Sequence, residues 1–220
     1  LYRKTEESLA LPFRAAAPEA ALYRNGRRYF SNSYNSNPTG GHSTGFLFVE
    51  RDGVAQPVAG MGLANDWPIL KTEAFRAAWP DGADVGADKS RDRGKSQALF
   101  IWTDANADAN VQPGEVRLYR GAASGVTVME DLSFCLARVD GRALRLAPVR
   151  FAADGAPFYA YEAAQVIAEG VLGPKSSGGN QVLADGSEEA VVTLGVAPFD
   201  AYSVCGVKNI PGGAVRVTSR

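Results

Sequence analysis

Ala98-Leu-Phe-Ile-Trp-Thr-Asp-Ala-Asn-Ala-Asp-Ala-Asn-Val-Gln-Pro-Gly-Glu-Val-Arg-Leu-Tyr-Arg120 is the stretch on which the fold turns. Its centre places oxygen-bearing side chains at alternate positions: Asp104, Asn106, Asp108, Asn110 and Gln112, closed by Glu115 at the twelfth position. That is the spacing of an EF-hand calcium loop, D-x-[DN]-x-[DN] with a final glutamate that binds through both oxygens. Calcium is a hard cation that needs six to eight oxygens, and alternate residues of a tightly curved loop converge on one point. Asn110, at position 7, is expected to ligate through its backbone carbonyl, and Gln112, at position 9, through a water. Asp104, Asp108 and Glu115 supply negative charge suited to a divalent ion, and Val111 is an apolar anchor for the loop. One residue departs from the pattern. Ala109 stands where a glycine normally makes the sharp turn, and alanine resists positive φ.

The flanks of this loop decide the architecture. An EF-hand lies between helices, which need apolar residues at a 3.6 period. Ala98–Thr103 is short, aromatic and β-prone, and Val116–Arg120 alternates at period two. The loop therefore joins two strands, and a bound ion would staple a hairpin. With no helix pair to open, a structural calcium site is expected and a sensor is not.

Turn dipeptides carry the same reading along the chain. Asn25-Gly26, Asp52-Gly53, Asp140-Gly141, Asp154-Gly155 and Asp185-Gly186 each separate short β-prone runs. Such dipeptides favour type I′ turns, whose twist matches that of a hairpin. The expected class is all-β, built of antiparallel hairpins. Units of about 40 residues suit β-propeller blades, and a β-sandwich is the runner-up. Helix is scarce: Tyr161–Glu169 is either a helix or a strand edge, and 71–79 reads as a short helix. We expect residues 1–220 to form a single β-rich domain, as a segment of a longer polypeptide or assembly.

Composition narrows the function. Of 220 residues, 45% are hydrophobic, enough for a real core and too many for a disordered chain. A net charge of −1 with no basic stripe argues against nucleic acid. No apolar run is long enough to span a membrane as a helix. Cys135 and Cys205 lie in strand-like runs and are too few and too separated for zinc. They are either two buried thiols or, in a secreted protein, a bridge that stabilises by roughly 4 kcal/mol.

Catalytic motifs fail on context. Gly41-His-Ser43-Thr-Gly45 matches the nucleophile elbow, but a β-prone run follows where a helix is needed. His42, the only histidine, sits beside Ser43 rather than opposite it. Gly94-Lys95-Ser96 ends like a phosphate loop, but Lys89 replaces its first glycine and a strand follows. Glycoside chemistry needs only two facing carboxyls, for which Glu50, Asp66, Glu130 and Asp131 are available. Trp67, Trp79, Tyr34 and Tyr159 are candidates to stack on sugar or to fill the core. Asp84, Asp88 and Asp92, in the polar stretch before the loop, are candidates to complete the ion's shell.

Leu22–Phe30, Gly45–Ala59 and Leu99–Glu115 together resemble parts of large secreted bacterial proteins with NHL-type propeller blades. A tryptophan followed by a loop of aspartates, asparagines and a glutamate recurs in those blades. The stretches from Asp131 to Asn180 and Tyr202 to Gly206 look like the same group. The resemblance implies an extracellular scaffold or ligand-binding role and no reaction. The resulting expectation is a non-enzymatic, calcium-stabilised, secreted or cell-surface β-protein. It would act as scaffold, assembly subunit or binding module, with protein partners or copies of itself joined through β-edges. A carbohydrate-active enzyme working through carboxylates is the alternative.

Overall fold

The computed structural model describes residues 20–31, 43–87, 97–121, 123, 125–169, 182–184, 189–194 and 214–219. The first sheet is a six-stranded antiparallel meander in chain order: β1 (Ala20–Arg24), β2 (Arg27–Ser31), β3 (Thr44–Arg51), β4 (Val54–Leu63), β5 (Ala98–Thr103) and β6 (Val116–Arg120). A second sheet contains β7 (Gly125–Val128), β8 (Phe134–Val139), β9 (Arg142–Leu146) and β12 (Gln165–Ala168), in the order β12-β9-β8-β7. Between β9 and β12 the chain makes a small hairpin of β10 (Arg150–Phe151) and β11 (Pro157–Phe158). β13 (Val182–Ala184), β14 (Glu189–Leu194) and β15 (Ala214–Ser219) pair in that order as a further antiparallel sheet.

Three of the expected turns are two-residue hairpins of type I′. Asn25 and Gly26 have φ of 50° and 72°, Asp52 and Gly53 of 52° and 75°, and Asp140 and Gly141 of 50° and 76°. Two adjacent left-handed residues are what that turn requires, which is why Asn or Asp is followed by Gly. Asp154-Gly155 solves a different problem. The Gly155 amide donates to the Ala152 carbonyl, and only the glycine is left-handed, at φ 98°. A wider turn with a glycine bulge results. Asp185-Gly186 lies outside the described residues, between the paired strands β13 and β14.

Alternation along each strand splits the first sheet into two buried faces. Leu47, Val49, Met61, Leu99 and Ile101 pack with Val126, Val128, Phe134, Leu136, Leu144 and Leu146 of the second sheet. The residues between them, Phe46, Phe48, Phe100 and Trp102, pack on the other side with Trp67, Leu70 and Phe75. That second face is closed by 3₁₀ turns at Ala64–Asp66, Pro68–Lys71 and Glu73–Ala78. Burial on both faces explains why β5 reads as an apolar run from Ala98 to Trp102: those five residues serve two cores.

This arrangement corrects two expectations. No propeller is found among the described residues. The six strands form one continuous meander, and its face lies on the second sheet in layers. The 71–79 segment is not an α-helix but consecutive 3₁₀ turns. The Trp79 indole N–H donates to the Leu70 carbonyl at 2.8 Å, and the Thr72 hydroxyl to that of Ile69. Tight turns let Trp67, Leu70 and Phe75 all reach the sheet below. Tyr161–Ala163 is likewise a 3₁₀ turn that leads into strand β12, so the strand-edge reading of 161–169 holds for its second half.

Candidate functional site

The twelve-residue loop connects β5 to β6, which pair antiparallel from Ala98↔Arg120 to Trp102↔Val116. It is rooted by an irregularity in β4. Leu47 pairs with Ala59 but Phe48 pairs with Pro57, which leaves Val58 as an extra residue. Proline has no N–H to give to a ladder, so a bulge suits it. The freed Val58 carbonyl accepts the Asp104 amide at 2.9 Å. Asp104 is thereby drawn into the interior and is fully buried.

The loop curls around that carboxylate. Ala107 and Ala109 have φ of 64° and 59°, so Ala109 adopts the left-handed turn in spite of its methyl group. Its amide donates to Asp104 Oδ2 at 3.2 Å. Asn106 Oδ1 accepts the Asp108 amide, and Asp108 Oδ1 accepts that of Asn110, at 3.1 and 2.7 Å. Asp108 Oδ2 takes the side-chain amides of Asn106 and Gln112 at 3.0 and 2.6 Å. Glu115 reaches back across the loop: Oε1 accepts the Ala105 amide at 2.8 Å and Oε2 the Trp102 indole N–H at 3.3 Å. Val111 is buried in the aromatic core with Phe46, Trp67 and Trp102, and it anchors the loop as its position in the sequence led us to expect.

Of the six expected ligands, Asp104 is buried, Asn106 and Asp108 are exposed, and Asn110, Gln112 and Glu115 are half-buried. Asn106, Asp108 and Gln112 touch one another, whereas Asp104 and Glu115 face the loop through backbone amides. Among the described residues, no three His, Cys, Asp or Glu side chains converge as a metal-holding group. Amide and backbone oxygens make up much of this donor set. Asp104 Oδ1 is buried and has no hydrogen-bond partner among the described residues. Such an oxygen costs roughly 1–3 kcal/mol, and more when charged. Burial, and then the nearby Glu115 and Asp108 charges, push the Asp104 pKa up to about 6 against the opposing pull of the Ala109 amide and Arg51.

A second set of residues meets the same aspartate and was not legible in the sequence. Arg51, at the end of β3, has a terminal nitrogen 4.0 Å from Asp104 Oδ2. Its other terminal nitrogen pairs with Asp154 in the β10–β11 turn. The Gln56 side chain accepts from Arg51 at 3.0 Å, while Arg51 Nε is buried with no partner among the described residues. The β10–β11 hairpin is held at three further points. The Tyr29 hydroxyl donates to the Gly155 carbonyl, Arg27 to that of Ala153, and the Thr103 hydroxyl to that of Pro157, at 2.7, 2.7 and 2.9 Å. Gly155 has φ of 98°, which favours glycine, and a Cβ there would lie 2.6 Å from Arg27 Cδ and displace that side chain.

The other candidates resolve into structural roles. Glu50 pairs with Arg28 at 3.0 Å, and Asp66 accepts the Ser43 hydroxyl. Asp131 is bound by Arg145 and by the hydroxyl and amide of Ser133. Trp67 is fully buried, and the Tyr159 hydroxyl donates to the Leu132 carbonyl while its ring packs edge-on against Phe134. These rings fill core rather than offer a surface to a sugar. Asp84 turns away from the loop: its carbonyl accepts from Asn65, which holds the Ala98 amide at the far end of β5. Cys135 is buried in β8. Tyr34, His42, Asp88, Asp92 and Cys205 lie outside the described residues. None of the described helices is long and apolar enough to cross a membrane.

No family model, curated protein or solved structure matches this chain.

Proposed function

We propose that Asp104–Glu115 binds one calcium ion as a structural staple across the β5–β6 hairpin of a non-enzymatic β-protein. The observation that carries this reading is Asp104 Oδ1, a buried carboxylate oxygen with no hydrogen-bond partner among the described residues, at the head of a loop that carries the oxygen-bearing side chains Asn106, Asp108, Asn110, Gln112 and Glu115. A cation offsets that oxygen's lost hydration directly, and Asp108, Glu115, Asn106, Gln112 and the Asn110 carbonyl are the remaining donors within the loop. The ion would supply charge neutralisation and a fixed loop shape, with no reaction attached. The layered packing of the first two sheets favours a sandwich as the finer architecture.

The wider role we propose is an extracellular scaffold, assembly subunit or binding module, where free calcium is plentiful enough for a site of modest affinity. Partners are proteins or further copies of this chain, met through sheet edges such as β1, where Tyr23 is exposed. The test is thermal melting of the chain in calcium and in chelator. Melting should be higher in calcium, with the same circular dichroism in both. Glu115→Gln, which keeps an acceptor for the Ala105 amide but loses the bidentate charge, should narrow the difference. Identical melting curves in calcium and chelator would remove the structural role.

A further inference from the structure

Arg51 and the loop compete for one carboxylate. Among the described residues, the cationic side chain placed against buried Asp104 is that of Arg51, at 4.0 Å, too long for a hydrogen bond. Both partners are left incomplete, since Asp104 Oδ1 and Arg51 Nε are buried without hydrogen-bond partners among the described residues. The same guanidinium is shared with Asp154, which shapes the β10–β11 turn by accepting the Ala156 amide at 3.2 Å. One cation thus spans two carboxylates on elements 50 residues apart in the chain, Asp104 in the loop and Asp154 in the hairpin.

We infer that Arg51 is a built-in counter-cation that sets the affinity of the calcium site and couples it to the β10–β11 hairpin. This rests on the calcium reading of the loop. Without the ion, Arg51 offsets part of the Asp104 charge. An ion arriving at Asp104 replaces that service and meets the repulsion of the guanidinium, so Arg51 weakens binding while it stabilises the empty loop. Once Asp104 is neutralised by the ion, the attraction of Arg51 is directed to Asp154 alone, and the hairpin is held more firmly. The Thr103 hydroxyl, one residue before Asp104, ties the same hairpin through the Pro157 carbonyl and gives the coupling a second route. The loop consequently reports the presence of calcium to the adjacent β10–β11 hairpin, with no helix movement.

Calorimetric calcium titration of the full chain, as wild type, Arg51→Met, Arg51→Lys and Asp154→Asn, tests this. Arg51→Met should bind calcium about tenfold tighter, because one positive charge near a divalent ion is removed. It should also melt lower than wild type in chelator. Arg51→Lys keeps the charge and should stay near wild-type affinity. Asp154→Asn releases Arg51 toward Asp104 and should weaken binding, which keeps the test alive even where Arg51→Met does not fold without calcium. A role limited to holding the loop in shape predicts the reverse for Arg51→Met, namely weaker binding. Unchanged or weaker affinity in folded Arg51→Met, or unchanged affinity in Asp154→Asn, overturns the inference while leaving the calcium site intact. A wild-type chain that binds no calcium removes the site and this inference together.

Discussion

Two connections in the same sheet do the same topological job by different physics. Asp52-Gly53 joins β3 to β4 in two residues, and Asp104–Glu115 joins β5 to β6 in twelve. The short turn is held by backbone preference alone: two left-handed residues, one a glycine, match the twist of the strands. The long loop spends more chain entropy and must recover it from side chains. It does so with Val111 in the core, a ring of amide-to-carboxylate hydrogen bonds, and a buried Asp104 that is itself unfavourable. A two-residue turn is complete as sequence. The loop leaves Asp104 Oδ1 without a partner among the described residues, and that is the charge the proposed ion would complete.

The largest effect should come from the residue that serves both the sheet and the loop. Trp102 fills the aromatic core, 5.8 Å from Trp67 and 6.4 Å from Phe46 by ring centroids, and donates its indole N–H to Glu115. Trp102→Ala should cost about 3–5 kcal/mol in urea denaturation. A loss near zero would mean that the second core does not support the hairpin.

Next in size is Asp104→Asn, which sharpens the contrast by removing the burden of a buried charge. In saturating calcium the variant should lose the ion's contribution, about 2.7 kcal/mol at a hundredfold excess over Kd. In chelator it should be as stable as wild type or more so, since the amide still accepts from Ala109 without a buried charge. Melting in both conditions reads the crossover, and a uniform loss in both would deny Asp104 its role toward the ion.

The turns themselves give smaller and opposite effects. Gly53→Ala places a methyl group at φ 75° and should destabilise by about 1 kcal/mol. Ala109→Gly relieves one at φ 59° and should gain up to about 1 kcal/mol in the folded chain, less the entropy that glycine adds to the unfolded one. Denaturation midpoints of the two variants moving in the same direction would break the comparison.

The smallest effect concerns acid. Burial pushes the Asp131 pKa up, but the Ser133 hydroxyl and amide and the Arg145 guanidinium outweigh it and hold the group below the ordinary carboxylate value. A depressed pKa contributes stability that is present above the unfolded value of 3.8 and lost as pH falls through the folded one. Asp131→Asn should therefore flatten stability against pH below about 4, and leave the slope above it unchanged.

Much of this molecule is legible where local chemistry dominates. The left-handed demand of a type I′ turn is satisfied by Asn-Gly and Asp-Gly, and the alternating oxygens of 104–115 announce their curvature. The arrangement of the sheets is less legible. Phe100 and Ile101 are both apolar because both faces of β5 are covered, and nothing in that run distinguishes a propeller blade from the middle of a layered stack. Trp67 and Tyr159 look equally suited to a sugar or a core until the fold closes over them. Arg51 carries no local mark of its role, because its partner Asp154 lies 103 residues away and meets it only through tertiary structure. The 71–79 stretch looks helical by composition, yet it forms 3₁₀ turns, in a segment whose Trp67, Leu70 and Phe75 all pack in one core with the sheet.

The central claim is that a cation completes the Asp104–Glu115 loop, and Trp102 makes it directly measurable. Its indole touches Glu115, so a terbium ion in place of calcium would sit beside a built-in antenna. Titration of the chelator-stripped chain with terbium, exciting tryptophan, should give saturable sensitised emission at one ion per chain. Excess calcium should displace it, and Asp104→Asn should abolish it. Absence of sensitised emission from the folded chain, or emission that calcium does not displace and Asp104→Asn does not alter, would contradict the account.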